Sequence, residues 1–174
     1  MKRGISKSLS DRDIFLKLRG RTNIFLYSQL GGIRDIDQLF KDNSAVILYE
    51  TAPRIGHWVC LIRNYVNGVP SIEFFDSYGM FPEMQKKYIS RDFLDRSSQK
   101  YNKIAALLYG ASDRYAIHYN DHRLQMRKKN VATCGRHVIA RILLKDLPID
   151  TYNKFLRSFG ANTDEVVTII SDLI

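Results

Sequence analysis

Cysteine is scarce in this chain, with Cys60 and Cys134 the two present in 174 residues. Two cysteines so far apart give no disulfide framework, and no second pair accompanies them to complete a zinc ribbon. Long apolar runs are missing as well. IAALLY (104–109) and VIARILL (138–144), the second interrupted by Arg141, fall well short of a membrane span, so no membrane association is expected. The N-terminal MKRGISKSLSDRDIF is basic but has neither an apolar stretch nor a small-residue cleavage site, and it does not read as a secretory signal. Internal repeats and low-complexity segments are also absent, which removes solenoids and linker-rich chains. Acidic residues are the minority, 18 against 27 Lys and Arg, giving a net charge of +9 and a pI near 9.6. Such a field concentrates polyanions and makes their binding salt-dependent, so non-specific DNA binding through the basic surface, including Arg127, Lys128 and Lys129, is one expectation. No nucleic-acid-binding motif accompanies the charge.

What the chain does have is an ordinary globular composition, 45% hydrophobic and 26% charged, in a length that suits one domain over residues 1–174. Ser10 or Asp11 before an apolar-periodic run, with Gly20 behind it, predicts a short helix. A second helix is predicted within 23–30, and helical character continues through RDIDQLFK (34–41) before AVILYE (45–50) switches to a continuous β pattern. Residues 84–110 read as mostly helical and RYAIHYN (114–120) as a strand. A helix begins near Cys134 and ends before Pro148, with Val138, Ile139, Ile142 and Leu143 as its apolar stripe. Two further helices close the chain, the last capped by Asn162 or Thr163.

The segment GHWVCLIRNYVNGVPSIEFFDSYG (56–79) holds two β-rich runs around Asn67-Gly68, a strong hairpin signal. If those two residues are the turn, facing residue numbers sum to 135: His57 faces Tyr78 and Val59 faces Asp76. Alternation then sends His57 and Asp76 to the same face, diagonal neighbours roughly 7 Å apart in Cα terms. Cys60 goes to the opposite face with Trp58 and Ile62.

Cys134 precedes Gly135 at the mouth of its helix, where unpaired backbone N–H groups and the positive end of the dipole favour a thiolate and could hold an oxyanion. By itself it is more often a small core residue at the top of the apolar stripe. His57 with Asp76 supplies what a thiol nucleophile needs, a base and a group that orients it. Gln125, on the polar segment that feeds the helix, could add a neutral donor to the oxyanion site. A base at His137, three residues after Cys134, and a metal site from His118, His122 and Cys134 are rival readings; the first leaves the base without an orienting group and the second lacks a fourth ligand.

GHW (56–58), FFDSYG (74–79), LQ (124 and 125) and ATCGRHV (132–138), in that order, resemble the adenain-type cysteine proteases, the maturation proteases of adenoviruses with relatives in virophages, polinton-like elements and large DNA viruses. They are similar in layout to the proteases that process ubiquitin-like proteins. The resemblance covers residues 56–144. It implies an α+β, papain-like fold in which a central mixed sheet packs on the helix carrying the nucleophile. It further implies Cys134 as nucleophile, His57 as base, Asp76 as its acidic partner, Gln125 with Cys134 as the oxyanion hole, and Trp58 flanking a narrow substrate channel. The implied activity is endoproteolysis of capsid or other virion precursor proteins at glycine-containing sites, in the particle and the cytoplasmic virus factory of the infected host cell. No cofactor is required for that chemistry, and a DNA or peptide activator is left open. The polar, basic segment between Gln125 and Cys134 is longer than the loop of the eukaryotic relatives. Two alternatives stay open, a protease that processes ubiquitin-like proteins and a non-enzymatic basic DNA-binding virion protein.

Overall fold

The computed structural model describes residues 2–160 and 162–174. Its centre is a five-stranded mixed sheet in chain order: β1 (Asn23–Leu26), β2 (Ser44–Ala52), β3 (Ile55–Val66), β4 (Val69–Phe75) and β5 (Ala116–Tyr119). β1 runs parallel to β2 and β4 parallel to β5, while β2–β3 and β3–β4 are antiparallel. Asn67 and Gly68 take positive φ of 52° and 77°, as a two-residue primed turn demands. The ladder behind them pairs Val66 with Val69, Tyr65 with Pro70 and, at its far end, Cys60 with Phe75. This is the register that the Asn-Gly turn predicts.

The helices are α1 (Lys2–Ile5), α2 (Asp11–Lys17), α3 (Arg91–Arg96), α4 (Lys103–Ala111), α5 (Cys134–Leu143), α6 (Ile149–Ser158) and α7 (Thr163–Asp172). They cover both faces of the sheet. On one side Val46 and Leu48 of β2, Trp58, Cys60 and Ile62 of β3, and Phe75 pack with Val138, Ile139 and Ile142 of α5, Tyr152 and Leu156 of α6, and Val166 and Val167 of α7. On the other, Ile47, Tyr49, Val59, Leu61, Ile72 and Phe74 meet Tyr27, Leu30, Leu39 and the buried face of α4. With core on both sides, β2 is buried from Ser44 through Glu50 and reads as a continuous apolar run rather than an alternating one. Each fully buried aliphatic or aromatic side chain contributes about 1.5–3 kcal/mol of transfer free energy, and the two cores together hold the sheet rigid under the site.

Local chemistry fixes the ends. Ser10 caps α2 in a reciprocal box with Asp13, Gly20 turns the chain at φ 65°, and Asn162 caps α7. Two expectations are corrected. Residues 23–30 do not form a helix: Asn23–Leu26 is an edge strand parallel to β2, and a 3₁₀ turn over Tyr27–Gly32 follows. A short NIFL run fits either period, and the open edge of β2 decides it. Residues 84–110 break into a 3₁₀ turn (Met84–Tyr88), α3 and α4, because Ser90 starts a new capped helix by accepting from the Phe93 N–H at 3.3 Å.

α5 is tied to the sheet by one buried charge pair. Arg141, fully buried, donates through Nε and Nη2 to both carboxylate oxygens of Glu73 on β4, at 2.8 Å each. Its remaining donors reach the carbonyls of Leu144 and Leu147 at 2.7 Å, which closes the C-terminal end of the helix. No helix among the described residues is long and apolar enough to cross a membrane.

Candidate active site

β4 leaves the sheet after Phe75, so the last ladder pair with β3 is Cys60–Phe75 and the chain from Asp76 turns away. That turn is held by the Gly79 N–H, which donates to the Asp76 carbonyl at 2.9 Å, and by the Tyr78 N–H, which donates to Asp76 Oδ1 at 2.8 Å. Gly79, at φ 70°, sits so close to the backbone at His122 and Arg123 that a Cβ would fall 2.7 Å from the His122 carbonyl carbon. Gly56 is tighter still: a Cβ there would meet the Tyr49 carbonyl oxygen at 1.8 Å, beside the irregularity in the β2–β3 pairing at Glu50 and Ala52. His57 is thus delivered to the end of the sheet by a glycine that no other residue can replace without moving the strand.

There, His57 Nε2 meets Asp76 Oδ1 at 2.9 Å, and the His57 ring stacks on Tyr78 at 4.8 Å between centroids. Asp76 is fully buried, and its second oxygen accepts from Gln85 Nε2 at 2.8 Å. Asn120 Nδ2 donates to the Asp76 carbonyl at 2.7 Å. The carboxylate is therefore fixed from three sides, and with it the imidazole.

Cys134 opens α5. Its thiol contacts the His57 ring and the backbone N–H groups of Trp58 and Gly135. Burial pushes the thiol pKa up, and the hydrogen bond and charge of His57 with the two N–H groups more than offset it, leaving it below the ordinary value. Burial pulls the His57 pKa down, but the charge and hydrogen bond of Asp76, with a smaller contribution from Cys134, raise it well above the usual histidine range. The two shifts run in opposite directions and favour a thiolate–imidazolium pair over thiol and neutral imidazole. Cys60, by contrast, is fully buried, and burial beside Glu73 drives its pKa well up.

The first turn of α5 has no side-chain cap. Thr133, the residue placed to cap it, donates its hydroxyl to Asp164 instead. The N–H groups of the first turn are left available, as an anion site at a helix start requires. Gln125 lies across from them with its Oε1 taken by the Ser77 hydroxyl at 2.7 Å, and its backbone N–H bonded to the Ser77 carbonyl at 2.9 Å. With the acceptor end committed, the amide nitrogen is what Gln125 has to offer the cleft. That cleft, about 550 Å³, is lined by His57, Cys134 and Gln125 together with Tyr78, Tyr88 and Arg127, among others.

The structure thus brings His57, Asp76, Gln125 and Cys134 together. It does not bring Trp58 to the cleft wall. The Trp58 side chain is 4% exposed, packs in the core under α5, and donates its indole N–H to the Leu9 carbonyl at 3.0 Å. The part of Trp58 that reaches the site is its backbone N–H, beyond the last ladder pair with β4. His137 does have an orienting carboxylate, against the expectation, since its Nε2 is bonded to Asp164 Oδ1 at 2.9 Å; it is not the base because its Nδ1 is buried without a partner and the Cys134 thiol bonds the His57 ring instead. Asp164 also accepts the Met126 N–H at 3.0 Å, so it clamps the Gln125 segment to the start of α5. His118, on β5, and His122 do not join Cys134, and among the described residues no group of three or more His, Cys, Asp or Glu could hold a metal ion. Gln85, Ser77 and Asp164 escaped the sequence reading as site residues, because each acts through a partner 9, 48 or 27 and more positions away to which no local spacing points.

Asp76→Asn tests the electrostatics. Gln85 can turn its amide to meet the new Nδ2, so the geometry is kept while the charge is lost. Burial, which lowers the His57 pKa, then acts with less opposition, so an NMR titration of the His57 ring should show its protonated form lost at clearly lower pH than in the wild type. An unmoved titration would mean that Asp76 does not hold the imidazolium.

No protein-family model matches the chain. The uncharacterized protein V9 of Sputnik virophage is 34% identical to it over 169 residues, 94% of each chain. Among solved structures, the ASFV pS273R protease superposes with a TM-score of 0.51 at 15% identity, over 97% of this chain and 67% of that one. The five-stranded mixed sheet packed on α5 is an α+β fold shared with that protease.

Proposed function

The chain belongs to the family of virophage protein V9, and on that premise and its protease fold we propose that it is a viral cysteine endopeptidase, adenain-like in layout, that cleaves virion precursor proteins during particle maturation. The observation that carries the reading is the buried His57–Asp76 hydrogen bond with the Cys134 thiol against the same imidazole, at an uncapped helix start.

In the reaction, the Cys134 thiolate adds to the scissile carbonyl carbon. Negative charge moves to the carbonyl oxygen, which the Gln125 amide and the Cys134 backbone N–H receive. The His57 imidazolium protonates the leaving nitrogen as the C–N bond breaks, and the acyl group remains on Cys134 as a thioester. His57, now neutral, takes a proton from water that attacks the thioester; Cys134 leaves as thiolate and the ion pair is restored. Asp76 stays ionised throughout and keeps the ring oriented, with Gln85 as its own support. No step calls on a metal or an organic cofactor.

The substrates are the capsid and other structural precursors of the virus that encodes the chain, cut at glycine-containing sites in the virus factory or the assembling particle. The test is to incubate those precursors with the protein and sequence the new termini. Defined fragments with glycine next to the cut, suppressed by prior alkylation of the thiol, are expected. Fragments that form equally after alkylation would overturn the reading.

A further inference from the structure

The cleft that contains Cys134 carries three cations on its walls, Arg127, Lys128 and Lys129, and no aspartate or glutamate lines it among the described residues. Arg127 differs from the arginines that form ion pairs. Arg54, Arg63, Arg114, Arg136 and Arg141 each pair with a carboxylate. Arg127 is instead oriented by groups that leave its charge uncancelled: Nη1 donates to the Tyr88 hydroxyl at 2.9 Å, Nη2 to Met80 Sδ at 3.2 Å, and the guanidinium carbon lies 5.0 Å from the Tyr78 ring centre and 5.6 Å from that of Tyr88. Tyr78 is the ring that stacks on His57. An oriented, unneutralised guanidinium therefore stands one aromatic ring away from the proposed base, in the volume a substrate must enter.

We propose that Arg127, supported by Lys128 and Lys129, is a specificity subsite that reads a carboxylate side chain close to the scissile bond, so that the preferred substrates are acidic peptide segments. The inference rests on the protease reading of the same cleft. Its chemistry follows from the fixed planar fork of arginine, which matches a carboxylate with two parallel hydrogen bonds, while the two tyrosines remove the conformational freedom that would otherwise oppose binding. The lysines, flexible point charges, add attraction without geometry. A glycine at the cut and an acidic residue beside it are compatible demands, since the first falls at Cys134 and the second at the wall beyond Tyr78.

The experiment presents a proteome-derived peptide library to the full-length protein and counts residues around every new terminus. Asp and Glu should be enriched near the cut, with an advantage of about tenfold in kcat/KM for a matched peptide carrying Glu over the same peptide carrying Gln. The advantage should shrink as salt is raised. In Arg127→Glu the preference should reverse toward Lys and Arg, a reversal that mere damage to the Tyr78–His57 stack would not produce. Cleavage with no acidic enrichment, or an enrichment unchanged in Arg127→Glu, overturns the inference and leaves the protease reading standing. A library left uncut overturns both. Protection of Cys134 from alkylation by a short DNA duplex, without any acidic preference among cleaved peptides, would assign the same cations to a polyanion and also overturn it.

Discussion

In a His57→Ala protein, hydrolysis of precursor proteins falls by about 10²- to 10⁴-fold, and Cys134 loses its advantage over Cys60 in alkylation. The two losses share one cause. Burial raises the Cys134 pKa, and the hydrogen bond and charge of His57 are the largest of the effects that reverse it. Without the ring, the thiol at the start of α5 is left with the N–H groups of Trp58 and Gly135 and returns toward the unreactive state of Cys60, which burial holds protonated. In the wild type, iodoacetamide should modify Cys134 below the pH at which an ordinary thiol reacts, because the thiolate persists until the pH falls through its lowered pKa. At the other limit, hydrolysis should decline as the pH rises through the raised pKa of His57 and the proton for the leaving amine is lost. Cys134→Ala should abolish turnover altogether, since no other thiol faces the cleft. Equal and slow labelling of both cysteines in the wild type would remove the thiolate–imidazolium pair from the account.

Arg141→Met should cost about 3–5 kcal/mol of stability. The residue is fully buried, and its removal leaves Glu73 charged and unpaired between β3 and β5, and strips the Leu144 and Leu147 carbonyls of their donor. The guanidinium also lies 4.8 Å from the centre of the Tyr152 ring, so packing between α5 and α6 is lost with the charge. Urea denaturation reads the loss as a lower midpoint at an unchanged slope. Replacing Glu73 by leucine in the same chain should recover much of it, because the cost lies in the orphaned carboxylate rather than in the missing attraction. A single variant within about 0.5 kcal/mol of the wild type would show that the pair does not anchor α5. The link to function is mechanical: α5 carries Cys134 at one end and Arg141 near the other, so the pair sets the depth at which the thiol meets His57.

The hairpin was the most legible part of the molecule. Asn67-Gly68 forces positive φ at both positions, which fixes the ladder to a single register, and the alternation of side chains follows from that. The parity argument brought His57 and Asp76 to one face, and they are hydrogen-bonded, although Asp76 lies one residue past the end of β4 rather than across from Val59 in the sheet. The core stripe of α5 was equally plain, except that Leu143 is exposed at its far end. The segment 23–30 was illegible for a physical reason: its apolar spacing suits both periods, and the choice is made by the free edge of β2, a contact some twenty residues away. The same holds around the site. The resemblance implies Trp58 as a flank of the substrate channel, but the strand turns its ring inward, as the alternation that pairs it with Cys60 requires. Gln85, Ser77 and Asp164 carry no signal of these roles, since a polar residue in a turn or at a helix start has value only through the partner the fold brings to it.

The central claim is that peptide bonds are broken through a thioester on Cys134. Precursor protein and enzyme are mixed, quenched in acid within the turnover time, and weighed intact by mass spectrometry. The account predicts an enzyme species heavier by an acyl fragment, located on Cys134, labile to hydroxylamine and absent from Cys134→Ala. Fragments that accumulate with no such species, and form as readily with Cys134→Ala, would contradict it.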